Sequence, residues 1–262
     1  LLLTCRSASP IAYFFLRQLV SNMVPDKHNL PSSRDDHSNW IAEVSHELRL
    51  PLANIKLLVE TLLSGAVDEP ATARRMLARA DEEVSRLQNL VSDLLSHEKL
   101  SKSGSTTGTM VLVLHKVEAA LETTLPLARA KNITVRVEVE EGTQFCVDGD
   151  QLHQVLVNLL ENAIKFTGEN GLVTVRASRT PLKLEVEDTG IGIAESEIPK
   201  IFQRFYRVDR SKTRGSTGLG LTIVKHIVDL HGAKISVNSR EGEGTCFIIE
   251  FPQTLSESGI GG

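Results

Sequence analysis

The chain has 262 residues, 41% apolar and 24% charged, which is enough for two modest domains that each bury a core. A net charge of −4, with no run of Lys and Arg, gives no reason to expect nucleic-acid binding. Three dispersed cysteines, Cys5, Cys146 and Cys246, exclude a disulfide framework and a thiolate metal site, and fit buried thiols in a reducing compartment.

Residues 1–34 read as an N-terminal arm or the remnant of an upstream region. Their apolar runs, Leu1 to Leu3 and Ile11 to Leu16, are interrupted by Arg6 and Arg17. Neither run approaches the roughly 20 apolar residues that a membrane span needs. Any membrane attachment is therefore expected only through a region missing upstream. Pro31-Ser-Ser-Arg-Asp-Asp-His-Ser38 supplies capping and turn residues for a first helix at 35–64. Ser64-Gly65 and Asp68-Glu69-Pro70 make a turn, and a second helix follows at 70–100.

Val44, Leu48, Leu52, Ile55, Val59 and Leu62 form one apolar stripe along the first helix. In the second, Leu77, Ala80, Val84, Leu87, Val91 and Leu94 alternate in steps of three and four as a heptad seam. Two such helices form an αα-hairpin that buries too little alone, so a homodimer through 35–100, packed as a four-helix bundle, is expected, with packing against the chain's own second domain as the alternative. His46 lies two residues from Val44, about 200° around the axis, and points away from the stripe. Glu47 adjoins it, and Pro51 removes an amide donor and crowds the Glu47 carbonyl, at a cost of about 3 kcal/mol. A histidine so placed reads as a nucleophile presented outward, beside an expected kink.

Ser101-Lys-Ser-Gly-Ser-Thr-Thr-Gly108 marks a flexible linker at 101–110, and a second domain is expected over 111–254. Leu112 and Leu114 open a strand, and a helix follows at 116–131. Ile133 to Val139 alternates as a half-buried strand. A helix at 149–166, strands at 171–178 and 182–188, a helix at 218–231 and strands near 234–239 and 245–251 complete an α+β two-layer sandwich, with mainly antiparallel strands and helices on one face. Residues 255–262 read as a disordered tail.

Within this second domain, Asn158-Leu-Leu-Glu-Asn-Ala-Ile-Lys-Phe166 places Asn158 and Asn162 one turn apart on one helix face. Two carboxamide oxygens so placed can hold Mg²⁺, Lys165 can reach a phosphate, and Phe166 offers an aromatic face to a purine. In Asp188-Thr-Gly-Ile-Gly-Ile193, Gly190 and Gly192 permit close backbone approach to a flat ligand, and Asp188 can accept from an exocyclic amine. Ile201-Phe-Gln-Arg-Phe-Tyr-Arg207 leads into a basic loop ending at Arg214. Ser216-Thr-Gly-Leu-Gly-Leu221 then places Thr217, Gly218, Leu219 and Gly220 at a helix start, suited to a lid over a triphosphate. The motif is neither a Walker P-loop nor a Rossmann fingerprint.

Taken together, the His46 octet, the Asn158 to Phe166 helix, Asp188 to Ile193, Phe202 to Arg207 and Gly218-Leu-Gly220 resemble, in order and spacing, a bacterial two-component sensor histidine kinase over residues 35–254. Within that family the chain is similar to the phosphate-regulation type of sensor. The resemblance implies a dimerisation and phosphotransfer hairpin at 35–100 and a Bergerat-fold ATP-binding domain. It implies His46 as phosphoacceptor, Glu47 as its base, and Asn158 and Asn162 on Mg²⁺. Asp188 would then read the adenine amine of ATP, and Lys165 and Arg207 the phosphates. Gly190, Gly192, Gly218 and Gly220 would shape pocket and lid. A response-regulator receiver domain is the implied partner, and the cytoplasm the implied site of action. A gyrase-type or chaperone-type ATPase of the same fold would need a water-activating glutamate where Asn158 stands. A nucleotide-binding dimeric scaffold with little phosphatase activity is the other alternative, because Leu50 stands where the family usually carries threonine or asparagine.

Overall fold

The computed structural model of the protein describes residues 34–102, 108–208 and 217–252. The arm expected over 1–34 and the tail expected over 255–262 lie almost wholly outside the described residues. So do the middle of the linker and most of the basic loop.

Helix α1 spans Arg34–Leu63 and continues through Pro51, so the proline interrupts one backbone bond without ending the helix. A 3-10 turn at Ala66–Asp68 follows Gly65, whose φ of +119° suits a residue without Cβ. Helix α2 spans Pro70–Lys102 and opens on its proline, where the missing amide would be unpaired in any case. The apolar stripes are only partly covered: Val44, Leu62 and Leu94 are buried, whereas Leu52, Val59, Leu77 and Val84 are exposed. From Glu47 onward, the hairpin and all that follows form one compact unit.

Strand β1 (Thr109–Leu112) pairs antiparallel with β3 (Gln144–Val147) in a separate two-stranded ladder. The expected strand through Leu114 is therefore shorter, because α3 (Val113–Ala130) already begins at Val113. Strand β3 was not read from the sequence; four residues are too few to show a period, although Phe145 and Val147 are buried between exposed Gln144 and Cys146. Cys146 is thus exposed and Cys246 half-buried, which corrects the expectation of buried thiols.

Five strands form the main sheet in the order β2 (Thr134–Val139), β4 (Leu172–Arg179), β5 (Leu182–Asp188), β7 (Gly244–Glu250), β6 (Lys234–Arg240). All pairs are antiparallel except β2 with β4, which is parallel because α4 (Gly149–Phe166) lies between them in sequence. Helix α4 packs against α3 and α5 (Gly220–Leu230) and crosses one sheet face. Its Leu152, Leu156, Leu159, Leu160 and Ile164 meet a core shared with Ile223 and Val224 of α5 and Val175, Leu184 and Ile249 of the sheet. The opposite sheet face carries charge, with Arg176 bridging Glu138 at 2.9 Å and Glu187 at 2.5 Å. One face apolar and one solvated is the usual economy of an antiparallel sheet.

Candidate functional site

Helix α4 is fixed at both ends, and that is what places its polar face. At the start, Asp148 accepts from the amides of Asp150 at 2.9 Å and Gln151 at 3.0 Å, a side-chain cap that fixes the first turn. At the end, the Lys131 ammonium donates to the carbonyls of Ile164, Lys165 and Thr167 at 2.9, 2.7 and 3.1 Å, where helix carbonyls lack partners. Between these anchors the apolar residues face the core, and Asn158, Asn162 and Lys165 face a cavity of about 440 Å³.

The far wall of that cavity comes from the end of β5 and the turn after it. Asp188 is buried and accepts from the Gly190 amide at 2.8 Å. Burial holds its carboxyl up at about 6, against amide hydrogen bonds from Gly190 and Thr245 that pull it down, while Glu187 adds a push upward. Gly192 has φ +66°, and a Cβ there would stand 2.0 Å from the Arg240 carbonyl oxygen. A Cβ on Gly190 would lie 2.5 Å from the Phe166 carbonyl oxygen. The protein's own backbone therefore requires a residue without Cβ at both positions. Gly192 still lines the cavity; Gly190 stands behind it.

The turn before α5 closes the cavity from another side, through Thr217, Gly218 and Gly220. The Leu219 side chain is buried and its amide donates to Thr217 Oγ1 at 3.2 Å, so it anchors the turn from behind. A Cβ at Gly220 would lie 2.9 Å from Asn158 Oδ1, so only glycine leaves that carboxamide its place. Phe205 is buried with φ +57°, a rare conformation for an aromatic residue, and its amide donates to the Gly218 carbonyl at 3.0 Å. That strain holds the following Tyr206 and Arg207 on the cavity rim.

Cationic groups gather along the rim. Burial, and then the neighbouring charges of Arg207, Arg86 and Lys131, pull the Lys165 ammonium down to about 8, with Glu161 opposing. Its Nζ lies 5.8 Å from the centroid of the half-buried Phe166 ring, which also lines the cavity. Arg207 reaches Glu47 Oε2 at 3.2 Å, and Arg86 of α2 reaches the same oxygen at 3.4 Å. Glu47 is 6% exposed, so this is a carboxylate held by two guanidiniums out of water. His46 itself is exposed on α1, as its angle to the apolar stripe requires, and Leu50 is exposed one turn beyond it.

Among the described residues no group of three or more His, Cys, Asp or Glu could hold a metal ion. Asn158 and Asn162 fit Mg²⁺ in another manner. They are hard oxygen donors facing one cavity, with room for the waters and phosphate oxygens that complete its shell.

Sequence reasoning missed Arg86, Asn89 and Asp93 on α2, of which Asn89 and Asp93 line the cavity and Arg86 holds Glu47. Their spacing of three and four makes a polar stripe beside the heptad seam, a signal that the seam itself obscured.

Two family models match the chain. Residues 36–102 match the His Kinase A (phospho-acceptor) domain, and residues 147–255 the histidine kinase-, DNA gyrase B- and HSP90-like ATPase. Sensor histidine kinase YclK of Bacillus subtilis is 35% identical over 241 residues, covering 87% of this chain and 50% of the relative. Sensor protein kinase WalK of Staphylococcus saprophyticus is 37% identical, over 86% of this chain and 38% of the relative. The chain thus spans half or less of the length of these curated relatives. The crystal structure of histidine kinase ThkA in complex with response regulator protein TrrA matches 95% of this chain and 68% of that chain at 27% identity and a TM-score of 0.68.

Proposed function

Because the chain belongs to the bacterial two-component sensor histidine kinases, we propose that it transfers the γ-phosphoryl group of ATP to His46. From there the group passes to an aspartate of a response-regulator receiver domain. The observation that carries this reading is the cavity of about 440 Å³ that gathers Asn158, Asn162, Lys165, Asp188 and Thr217 from three separate sequence motifs. That volume suits a nucleotide-sized ligand. ThkA, a relative by fold and sequence, is seen bound to its regulator, which supports the same kind of partner here.

In this reading Asp188 accepts from the adenine amine, and its buried carboxylate favours that donor over water. Phe166 offers its ring to the base, and Lys165 and Arg207 offset phosphate charge. Mg²⁺, held by Asn158 and Asn162, would spread negative charge across the phosphates. Phosphoryl transfer asks little covalent chemistry of the protein, so alignment and charge neutralisation dominate. Neutral His46 must present a ring nitrogen lone pair in line with the γ-phosphorus, while Glu47 accepts the proton of the other ring nitrogen. The exposed Leu52, Val59, Leu77 and Val84 support a homodimer through the hairpin, in which a second copy covers the uncovered stripes.

His46→Gln is expected to abolish autophosphorylation from labelled ATP while ADP still binds. Acid-labile phosphate on that variant would overturn the assignment of His46.

A further inference from the structure

The cavity has a wall that the sandwich does not supply. Asn89, Ser92 and Asp93 of α2 line it, opposite Asn158 and Lys165 of α4. Asp93 Oδ2 accepts from Thr217 Oγ1 at 2.5 Å, and that hydroxyl in turn accepts from the Leu219 amide. A carboxylate of the hairpin is therefore tied, through one hydroxyl, to the turn that opens α5. The start of an eleven-residue helix such as α5 favours negative charge, and so do the nearby cations Lys165 and Arg207. The hairpin's other buried carboxylate, Glu47, takes up Arg207 itself. Both groups that a nucleotide's phosphates would use at this end of the cavity are thus engaged by acidic side chains of the hairpin.

We propose that Asp93 is a positioning residue of the nucleotide site, contributed by the hairpin, whose carboxylate competes with nucleotide phosphate for the Thr217 turn. Docking of the hairpin and binding of nucleotide then oppose each other: phosphate arriving at the turn displaces Asp93, and the same event offers Arg207 an alternative to Glu47. Displacement of Asp93 and release of Glu47 beside His46 become one step. Coupling of this kind is reciprocal, so any signal that draws α2 away from the turn raises nucleotide affinity by the same factor. Burial raises the Asp93 carboxyl above its usual range, although the bond from Thr217 opposes this, which agrees with a carboxylate held in place at some cost. The inference rests on reading the cavity as a nucleotide site.

The test measures ADP affinity of the 262-residue chain, in Mg²⁺ buffer, for the wild type, Asp93→Asn and Asp93→Ala. The asparagine keeps shape and acceptor but removes the charge; the alanine removes both. Both variants should bind ADP more tightly, by about tenfold, since a charged hydrogen bond is commonly worth at least that factor. A residue that merely builds the pocket would, when changed, weaken binding. Affinities within twofold of wild type, or weaker, overturn the proposal. A second arm joins Asp93→Cys to Thr217→Cys in a background lacking Cys5, Cys146 and Cys246. Oxidation should lower ADP affinity at least tenfold relative to the same protein after reductant; equal affinity of the oxidised and reduced forms also overturns the proposal. Failure of the wild type to bind ADP at all would instead sink the nucleotide reading, and the inference with it.

Discussion

The hairpin and the sandwich solve the problem of burial in opposite ways. The sandwich closes its own core: Leu156, Leu160 and Ile223 are wholly inaccessible, and the helix that carries the two leucines is capped at one end by Asp148 and at the other by Lys131. The hairpin leaves its seam unfinished, with Leu77 58% and Val84 42% exposed although the heptad spacing runs unbroken from Leu77 to Leu94. Polar side chains, by contrast, are well engaged on the hairpin's other face, where Glu47, held by Arg86, and Asp93 meet the sandwich through Arg207 and Thr217. The sandwich is a finished scaffold for a site, whereas the hairpin is a platform whose two faces await different companions. The difference teaches that apolar spacing alone does not say what a helix packs against.

Four experiments bear on that contrast, in falling order of expected effect. Leu156→Ala should cost the sandwich about 2–5 kcal/mol, as deletion of a wholly buried leucine does, and denaturant unfolding would read it. A loss under 1 kcal/mol would mean that the core is less closed than its burial indicates. Val84→Asp places a charge on the exposed seam, so the proposed homodimer should weaken by about a hundredfold while ADP affinity stays unaltered. Sedimentation at several concentrations measures this, and a dimer of undiminished strength would send the seam's companion elsewhere.

The third prediction concerns protons in the cavity. Asp188 sits near 6, and in the proposed role its ionised carboxylate accepts from the adenine amine more strongly than the neutral acid would, so nucleotide affinity should fall as pH drops through about 6. Lys165 sits near 8 and must be charged to face phosphate, so affinity should fall again as pH rises through about 8. Each limb approaches about tenfold per pH unit, the limit for one linked proton. Asp188→Asn should flatten the acid limb and Lys165→Met the basic one; a profile flat from 5 to 9 would contradict both assignments. The smallest effect is at Leu50, exposed one turn from His46 and unable to donate or accept a hydrogen bond. Leu50→Thr should speed removal of phosphate from the phosphorylated regulator in ADP by up to about tenfold, the worth of one hydrogen bond. Rapid dephosphorylation by the unaltered chain would show that this position needs no polar group.

Much of the molecule was legible because it is written in short periods. Helix α4 ends where its pattern of apolar residues ends, and the strand around Leu184 and Val186 alternates as a half-buried strand must. His46 could be placed off the apolar stripe by counting alone. The motifs of α4, β5 and the Thr217 turn could each be matched with its chemistry before any of them was seen to share a cavity. Other features needed three dimensions. Strand β3 is four residues long and exists through its ladder with β1. Gly190 and Gly192 are dictated by carbonyls of Phe166 and Arg240, which are distant in sequence.

What the sequence by itself determined, then, is most of the helices and strands, the family to which they belong and the charged and oxygen-bearing residues proposed to meet a nucleotide. Periodicity and motif spacing are local properties, and a chain displays them without folding. Only the tertiary structure decided that Arg207 meets Glu47, that Asp93 meets Thr217, and that the second hairpin helix walls the cavity. Those partners lie 160 and 124 residues apart, a distance no local pattern spans. Their meeting is fixed by how two separately patterned surfaces settle against each other, which depends on shape and desolvation across the whole contact.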